Sequence, residues 1–172
     1  MLEDAAVLAP VFRDASGVLR ILLLLRTDHG IHGGQIGLPG GRVEPGDRDF
    51  IATALRETEE EVGLPPDQVT VLAALDPLET MSTGFRVHAF LGRVPADVNW
   101  QPQPDEVAGL LTPAVEMLHD PSRRGLRQFT SAHFRTPLEV EGIDVGGHVL
   151  WGMTLRLLDE LVPRLLAGEW AV

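Results

Sequence analysis

Residues 40–64 read GGRVEPGDRDFIATALRETEEEVGL, a glycine-rich turn followed by a segment with helical periodicity. Apolar or small side chains recur at helical spacing over residues 49–62, which predicts an amphipathic helix. The side chains on this predicted face are Ile51, Ala54, Leu55, Thr58 and Val62. Gly63, followed by Pro65-Pro66, is typical of a helix C-terminus, so the helix is predicted to end at Val62.

The other side of this predicted helix is acidic. Glu57, Glu60 and Glu61 stand at positions i, i+3 and i+4, so their side chains project from one face within one turn. Such carboxylates repel one another unless a cation lies among them, and hard oxygen ligands suit Mg²⁺ or Mn²⁺. The simpler alternative is a solvated helix face. The Gly40-Gly41 turn favours the ion, because glycine lets the backbone, including a free carbonyl, approach closely.

The order of these residues resembles the Nudix box. In that pattern a Gly, five residues, a Glu and seven further residues precede Arg-Glu-apolar-any-Glu-Glu-any-Gly-apolar. The matching positions are Gly41, Arg56, Glu57, Glu60, Glu61, Gly63 and Leu64. Thr58 stands where an apolar residue is usual, Asp47 replaces the Glu, and one extra residue lies between Asp47 and Arg56.

The resemblance implies both a fold and a reaction. Nudix hydrolases have an α/β/α sandwich with a mixed β-sheet between helices, and in them water cleaves a diphosphate linked to another group. We therefore expect an α/β protein in which residues 1–172 form a single Nudix hydrolase domain. The implied cofactor is Mg²⁺ or Mn²⁺, and the implied partner is a small-molecule nucleoside diphosphate substrate.

The resemblance also assigns roles to individual residues. It implies that Glu57 and Glu61 are the principal metal ligands, with the Gly41 carbonyl as a backbone ligand. Glu60 is either a further ligand or the group that orients the attacking water, and Arg56 holds Glu57 in place. The general base differs among family members, and Glu106 is our candidate because it lies in a proline-bounded loop. The alternative for Glu106 is an ordinary solvated loop acid.

A narrower resemblance points to the coenzyme A pyrophosphatase branch of the family. The segments that carry it are Leu23 to Arg26, His32-Gly33, Gln35, residues 38–41, residues 104–107 and residues 150–154. It implies that substrate contacts come from His32, Gly33, Gln35, Gly40 and Gly41. The implied reaction is hydrolysis of coenzyme A or its thioesters to 4′-phosphopantetheine, or its acyl form, and 3′,5′-ADP.

Two other functions stay open at this point. One is hydrolysis of another nucleoside diphosphate derivative, such as ADP-ribose, NADH or a dinucleoside polyphosphate. The other is a catalytically silent ligand-binding module, which the altered spacing near Asp47 favours and the complete set of glutamates disfavours. Arg123, Arg124 and Arg127 form a basic cluster that suits a peripheral phosphate, such as the 3′-phosphate of coenzyme A, or else a solvated loop.

The remaining chain predicts strands before and after the helix, and a second long helix. We expect a β-hairpin from Ala5–Phe12 and Arg20–Arg26, followed by a short strand at residues 35–38. Further strands are predicted at 69–75 and 85–94, a loop at 102–106, a short helix at 113–118 capped by Thr112, and a terminal helix at 151–166. This order suggests a mixed sheet with helices on its faces.

Composition narrows the class of protein. The chain has 14 Lys+Arg, all of them Arg, against 25 Asp+Glu, for a net charge of −11. This acidity argues against nucleic acid as a partner. The absence of Cys excludes disulfides and thiolate chemistry. With no apolar run long enough for a membrane span and an acidic start, we expect a soluble, cytoplasmic protein. The oligomeric state stays open, a homodimer included.

Overall fold

The structure is a computed structural model that describes residues 2–29, 32–80 and 84–172. Twelve strands and three α-helices are found in these segments. In chain order they are β1 Glu3–Arg13, β2 Leu19–Ile21, β3 Leu23–Arg26, β4 Ile36–Gly37, β5 Gly40–Arg42, α1 Phe50–Val62, β6 Thr70–Ala74, β7 Leu78–Glu79, β8 Phe85–Arg93, β9 Val107–Leu111, α2 Val115–Leu118, β10 Arg124–Phe129, β11 Leu138–Val145, β12 His148–Trp151 and α3 Gly152–Leu166.

The described strands form three sheets. The largest is mixed, with the order β2-β1-β8-β6, and β5 and β7 add to it at β1 and β8. β1 and β8 run parallel, in register from Glu3 opposite Phe85 to Val11 opposite Arg93, whereas the other pairs are antiparallel. The two smaller antiparallel sheets have the orders β4-β3-β9 and β10-β11-β12.

β1 is apolar along most of its length because it is covered on both faces. Val7 and Ala9 point to one side and belong to the same core cluster as Leu158 of α3. Leu8 points to the other side and packs in a cluster with Ala54 of α1. Successive strand residues alternate between faces, so the mixed sheet lies between α1 and α3. The predicted α/β/α arrangement is confirmed.

The predicted boundaries of α1 are confirmed by its caps. Asp49 accepts a hydrogen bond from the Ala52 N–H at 2.7 Å, which satisfies one of the free N–H groups of the first turn. At the other end Gly63 has φ 71° and donates its N–H to the Glu59 carbonyl at 2.8 Å. This left-handed conformation is one that glycine adopts without steric cost.

Other sequence predictions hold in part. The first hairpin forms through β1 and β2, but its second strand is interrupted at Leu22 and continues as β3 in another sheet. The Thr112 cap is wrong, because Ala114 precedes α2 and no side chain caps that helix. Trp151 ends β12, and α3 begins one residue later at Gly152.

Several strands were not predicted from the sequence. β5 pairs with β1, although three residues rich in glycine predict a turn. The antiparallel sheet of β10, β11 and β12 lies in residues 124–151, for which no strand was predicted. In the described segments, none of the helices combines the length and the apolar character that crossing a bilayer requires.

Candidate active site

α1 carries its three clustered glutamates at different depths. The Glu61 side chain is 2% exposed, that of Glu57 is 16% exposed, and that of Glu60 is 59% exposed. The sequence places all three on one polar face of the helix, but in the structure part of that face is buried against the neighbouring strands. Glu57 and Glu61 therefore lie in a partly dry environment, whereas Glu60 is open to solvent.

Glu61 is held by groups from two strands. Its Oε2 accepts the Gly40 N–H at 2.8 Å, and its Oε1 lies 3.3 Å from Nη1 of Arg26. Burial raises the pKa of Glu61 to about 7, although Arg26 and the Gly40 N–H act in the opposite direction. Repulsion from Glu57 and Glu106 adds to the increase. A nearby positive charge would therefore stabilise the ionised form of the Glu61 carboxylate.

The two glycines of β5 permit its close approach to β1 and α1. Gly40 is buried with φ 154°, and a Cβ atom there would overlap the Ala6 carbonyl oxygen of β1. A Cβ atom on Gly41 would overlap the carboxylate of Glu57. The backbone at Gly41 therefore lies directly against the Glu57 carboxylate.

Arg56 joins three carboxylates and a carbonyl. Its Nε and Nη2 each lie 3.0 Å from an Asp47 carboxylate oxygen, in a bidentate pair. Nη1 donates to Glu57 at 3.0 Å and to Glu60 at 3.2 Å, and Nη2 also donates to the Arg42 carbonyl at 3.1 Å. All five N–H groups of the guanidinium are thus engaged. Arg56 thus contacts Glu57 and ties α1 to the preceding turn through Asp47 and the Arg42 carbonyl.

Asp47 is a structural partner of Arg56. Besides the bidentate pair, its carboxylate accepts the Glu44 N–H at 2.9 Å and the Thr53 hydroxyl at 2.8 Å. These contacts, above all those from Arg56, hold the pKa of Asp47 well below its usual range. The shorter side chain in place of the pattern's Glu thus closes the turn onto α1.

Glu106 is brought to the glutamates of α1 by a tethered loop. The Gln103 N–H donates to the Glu61 carbonyl at 2.9 Å, and the Thr27 N–H donates to the Glu106 carbonyl at 3.0 Å. Burial raises the pKa of Glu57, and repulsion from Glu60 and Glu106 acts in the same direction. The Glu106 side chain is exposed and its charge is felt by both Glu57 and Glu61.

The predicted substrate residues before the box lie on a turn that leads into β4. His32 is exposed, and Gln35 hydrogen-bonds to it. Partial desolvation, followed by repulsion from Arg26 and His133, lowers the pKa of His32. Gly33 is buried, and a Cβ there would lie 2.8 Å from the Asp28 carbonyl carbon, so this glycine is required by packing.

The basic cluster is largely engaged in internal contacts. Arg124 forms a bidentate pair with Asp159 of α3, at 2.8 and 2.7 Å, and also contacts Glu141 at 2.8 Å. Arg127 donates to the Arg123 carbonyl at 2.9 Å. Arg124 therefore ties the sheet of β10 and β11 to α3, and its role as a phosphate contact is not supported by this geometry.

The described residues contain no group of three or more His, Cys, Asp or Glu side chains set up as a complete metal site. The donors that do converge are the carboxylates of Glu57 and Glu61 beside the Gly41 backbone. They are hard oxygen donors that repel each other. Arg56 contacts Glu57 but shares its charge with Asp47 and Glu60, and Arg26 contacts Glu61 only at 3.3 Å. This donor set fits Mg²⁺ or Mn²⁺, which usually bind few protein carboxylates and keep several waters.

Sequence reasoning assigned no role to Arg26, which the structure brings into contact with Glu61. Arg26 ends the apolar strand β3, and its side chain is 28% exposed. A charged residue at the end of a run of buried leucines is the signal that could have identified it. The strand pairing that carries it to α1 is not visible in the sequence.

Comparisons with known proteins place the chain in a family. Residues 2–132 match the model of the NUDIX domain. Over 170 residues the chain is 45% identical to proteins named "Uncharacterized Nudix hydrolase NudL" from Yersinia pestis (strain Pestoides F) and from Yersinia pseudotuberculosis serotype O:1b (strain IP 31758). Each alignment covers 94% of this chain and 79% of the relative.

Solved structures share the fold at lower sequence identity. A Nudix hydrolase from M. smegmatis, RenU, has a TM-score of 0.68 and 16% identity, over 99% of this chain and 89% of its own. The NUDIX domain of Shewanella oneidensis NrtR, complexed with ADP ribose, has a TM-score of 0.60 and 17% identity, over 96% of this chain and 89% of its own. The glycine turn, the capped acidic helix and these matches together show that the chain belongs to the Nudix hydrolase family.

Proposed function

We propose that this protein hydrolyses the diphosphate linkage of coenzyme A or its thioesters, giving 4′-phosphopantetheine, or its acyl form, and 3′,5′-ADP. Hydrolysis of a diphosphate follows from membership of the family. The choice of coenzyme A rests on the segments that resemble the coenzyme A pyrophosphatase branch. These segments include residues 23–26, His32-Gly33, Gln35 and residues 38–41, which precede α1 in the sequence.

One observation carries the catalytic part of the proposal. Two glutamates from one helix turn, Glu57 and Glu61, are largely buried beside the Gly41 backbone. Burying two like charges side by side costs free energy unless a cation offsets it. Arg56 beside Glu57 and the 3.3 Å contact of Arg26 with Glu61 offset only part of this cost, since Arg56 is shared with Asp47 and Glu60. The arrangement is therefore best explained as a site for a divalent ion and the phosphates that it binds.

The residues of the site then divide the work. Glu57 and Glu61 would hold the ion with the Gly41 carbonyl, and Arg56 orients Glu57 through the 3.0 Å contact. A divalent ion supplies charge neutralisation for the diphosphate and makes water a better nucleophile. Glu106, which is exposed and whose charge acts on Glu57 and Glu61, would accept a proton from the attacking water as general base. Glu60, which is solvent-exposed, would be a further ligand or would orient that water.

The substrate is tested by comparing rates on a small panel with Mg²⁺ or Mn²⁺ present. The panel contains coenzyme A, 3′-dephospho-coenzyme A, ADP-ribose, NADH and a dinucleoside polyphosphate, with products identified by mass spectrometry. We expect the highest kcat/KM on coenzyme A and masses that match 4′-phosphopantetheine and 3′,5′-ADP. A higher kcat/KM on ADP-ribose or another member of the panel would replace coenzyme A as the substrate and leave diphosphate hydrolysis intact.

The role of the site is tested by removing its charge. We expect the Glu57→Gln, Glu61→Gln double variant to lose turnover while remaining folded, and Glu59→Gln to keep wild-type activity. Glu59 is a matched control because it is an exposed glutamate on the same helix. Wild-type turnover by the double variant would refute the assignment of these ligands. If the wild-type protein binds a nucleoside diphosphate but hydrolyses none of the panel, the protein is a silent ligand-binding module.

A further inference from the structure

The Arg26 side chain lies between Glu61, a candidate metal ligand, and the end of β4. Its Nη1 is 3.3 Å from Glu61 Oε1, and its Nη2 is 3.5 Å from the Leu38 carbonyl. The side chain crosses the surface of Gly37, where a Cβ atom would lie 3.1 Å from Nε. Glycine at this position therefore leaves room for the guanidinium beside the site.

The hydrogen bonds of Arg26 differ from those of Arg56. Arg56 has all five N–H groups engaged, at 3.0 to 3.2 Å. In the part of the chain that the structure describes, Arg26 has only two side-chain hydrogen bonds, and both are long. With 28% of its side chain exposed, Arg26 retains donors that a ligand can reach. Arg56 is thus held by the protein through all its N–H groups, whereas Arg26 has N–H groups that are not hydrogen-bonded to the described residues.

The charge at this position matters for a diphosphate. The carboxylates of Glu57, Glu61 and Glu106 make the site negative, and a diphosphate brings further negative charge. A guanidinium presents a planar fork of donors that matches two phosphate oxygens. Alongside partial desolvation, the positive charge of Arg26 also helps to lower the pKa of His32. Arg26 therefore acts electrostatically on the turn that we associate with substrate.

We propose that Arg26 is a diphosphate-binding residue, which is paired with Glu61 in the free protein and contacts a phosphate oxygen of the substrate in the complex. This inference rests on the proposed function, because it assumes that the diphosphate lies beside Glu61. If Glu61 holds a divalent ion in the complex, the long contact to Arg26 would no longer be needed to neutralise that carboxylate. The free N–H groups of Arg26 would then donate to the phosphate while the side chain stays against Gly37.

The test separates phosphate binding from support of Glu61. Two titrations are made by calorimetry, one with Mn²⁺ alone and one with α,β-methylene-ADP in saturating Mn²⁺. We expect Arg26→Gln to weaken binding of α,β-methylene-ADP about tenfold or more, as for the loss of a charge-assisted hydrogen bond. Its affinity for Mn²⁺ is expected to stay within about threefold of wild type, since a neighbouring positive charge is removed rather than a ligand. Circular dichroism checks the fold of each variant.

Two further variants sharpen the outcome. Arg26→Lys keeps the charge and loses the planar fork, so we expect an intermediate loss of α,β-methylene-ADP affinity. Arg86→Gln is the matched control, because Arg86 is an exposed arginine paired with Glu79 at 3.1 Å on another strand. Unchanged affinity of Arg26→Gln for α,β-methylene-ADP, or a parallel loss of Mn²⁺ affinity, would overturn the Arg26 proposal alone. If the wild-type protein binds neither Mn²⁺ nor the analogue, the proposed function fails as well.

Discussion

The carboxyl group of Glu61 is buried in the folded protein and surrounded by water in the unfolded chain. Its pKa is about 7 when folded against 4.5 for the free group, so the folded state holds the proton more tightly. The free energy of unfolding of the metal-free protein therefore decreases as pH rises from about 4.5 to 7, by a few kcal/mol. We expect Glu61→Gln to remove this decrease.

Urea unfolding in EDTA at a series of pH values between 5 and 8 measures this effect. The control is Glu59→Gln, which should show the same pH dependence as the wild type because Glu59 is exposed. If the wild type and Glu61→Gln have parallel curves, the proton is not bound at Glu61.

Asp47 allows a second prediction for a single residue. Asp47→Asn loses the charge that meets Arg56 and one of the two acceptor oxygens of the bidentate pair. Because Asp47 also accepts from Thr53 and the Glu44 N–H, we expect the free energy of unfolding to decrease by about 1 to 3 kcal/mol. Asp67→Asn, in an exposed turn, is the control and should change stability little. A negligible effect of Asp47→Asn on thermal unfolding would show that these contacts are weak in solution.

The site could be predicted from the sequence only in part. The spacing of Glu57 and Glu61 and the glycines of the turn suffice to identify a carboxylate pair beside a close backbone. The depth of Glu61 was not predictable, because it depends on the Gly40 N–H and on Arg26, which strand pairing brings to the helix. The roles of Glu57, Glu60, Glu61, Arg56, Glu106 and the substrate residues stay predictions until variants are measured.

The C-terminal end of α1 contacts the loop that carries Glu106. Gly63 is left-handed, and a Cβ atom there would lie 2.9 Å from the Gln101 Cβ. We expect Gly63→Ala to lower the free energy of unfolding by about 1 kcal/mol from the backbone conformation, and further from the contact with Gln101. Gly168→Ala is a matched control, because Gly168 follows α3 with φ 73° and has no atom within 4 Å of the added Cβ.

The difference between these two variants measures the contact with Gln101. Denaturant titration gives both free energies, and activity assays show whether the loop that carries Glu106 has moved. Equal losses of stability in Gly63→Ala and Gly168→Ala would mean that the loop at Gln101 moves aside at no measurable cost in free energy.

Elements with a clear periodicity were predicted, and elements defined by distant partners were not. α1 has a helical pattern and two caps, so its ends are local properties of the chain. β5 is three residues long and becomes a strand only because β1 accepts it as a neighbour. β10 alternates exposed and half-buried residues, with Leu126 68% exposed, so its sequence shows no apolar face. Tertiary pairing outweighs local preference in such short strands.

For the whole molecule, divalent ions should act as stabilising ligands. With a net charge of −11 and a carboxylate pair that is partly buried, the folded protein gains more than the unfolded chain when Mn²⁺ or Mg²⁺ binds. At an ion concentration of about 100 times Kd, the gain is about 2.7 kcal/mol, which is a shift in Tm of roughly 5 to 10 °C for a chain of this size.

Thermal unfolding with Mn²⁺ and with EDTA measures this shift. We expect the wild type and Glu59→Gln to show it, and the Glu57→Gln, Glu61→Gln variant to lose most of it. An equal shift in the double variant would point to weak binding of ions over the acidic surface as a whole.

The parallel pairing of β1 with β8 has a consequence for synthesis in the cell. β1 is synthesised before its neighbour β8, which follows only after α1 and β6 have left the ribosome. Until then the nascent chain exposes an apolar strand with an unpaired edge, the kind of segment that associates with other chains. Fragments that end before Arg93 should therefore aggregate or recruit chaperones, and folding of the complete chain should be slow because its central contact is so distant in sequence.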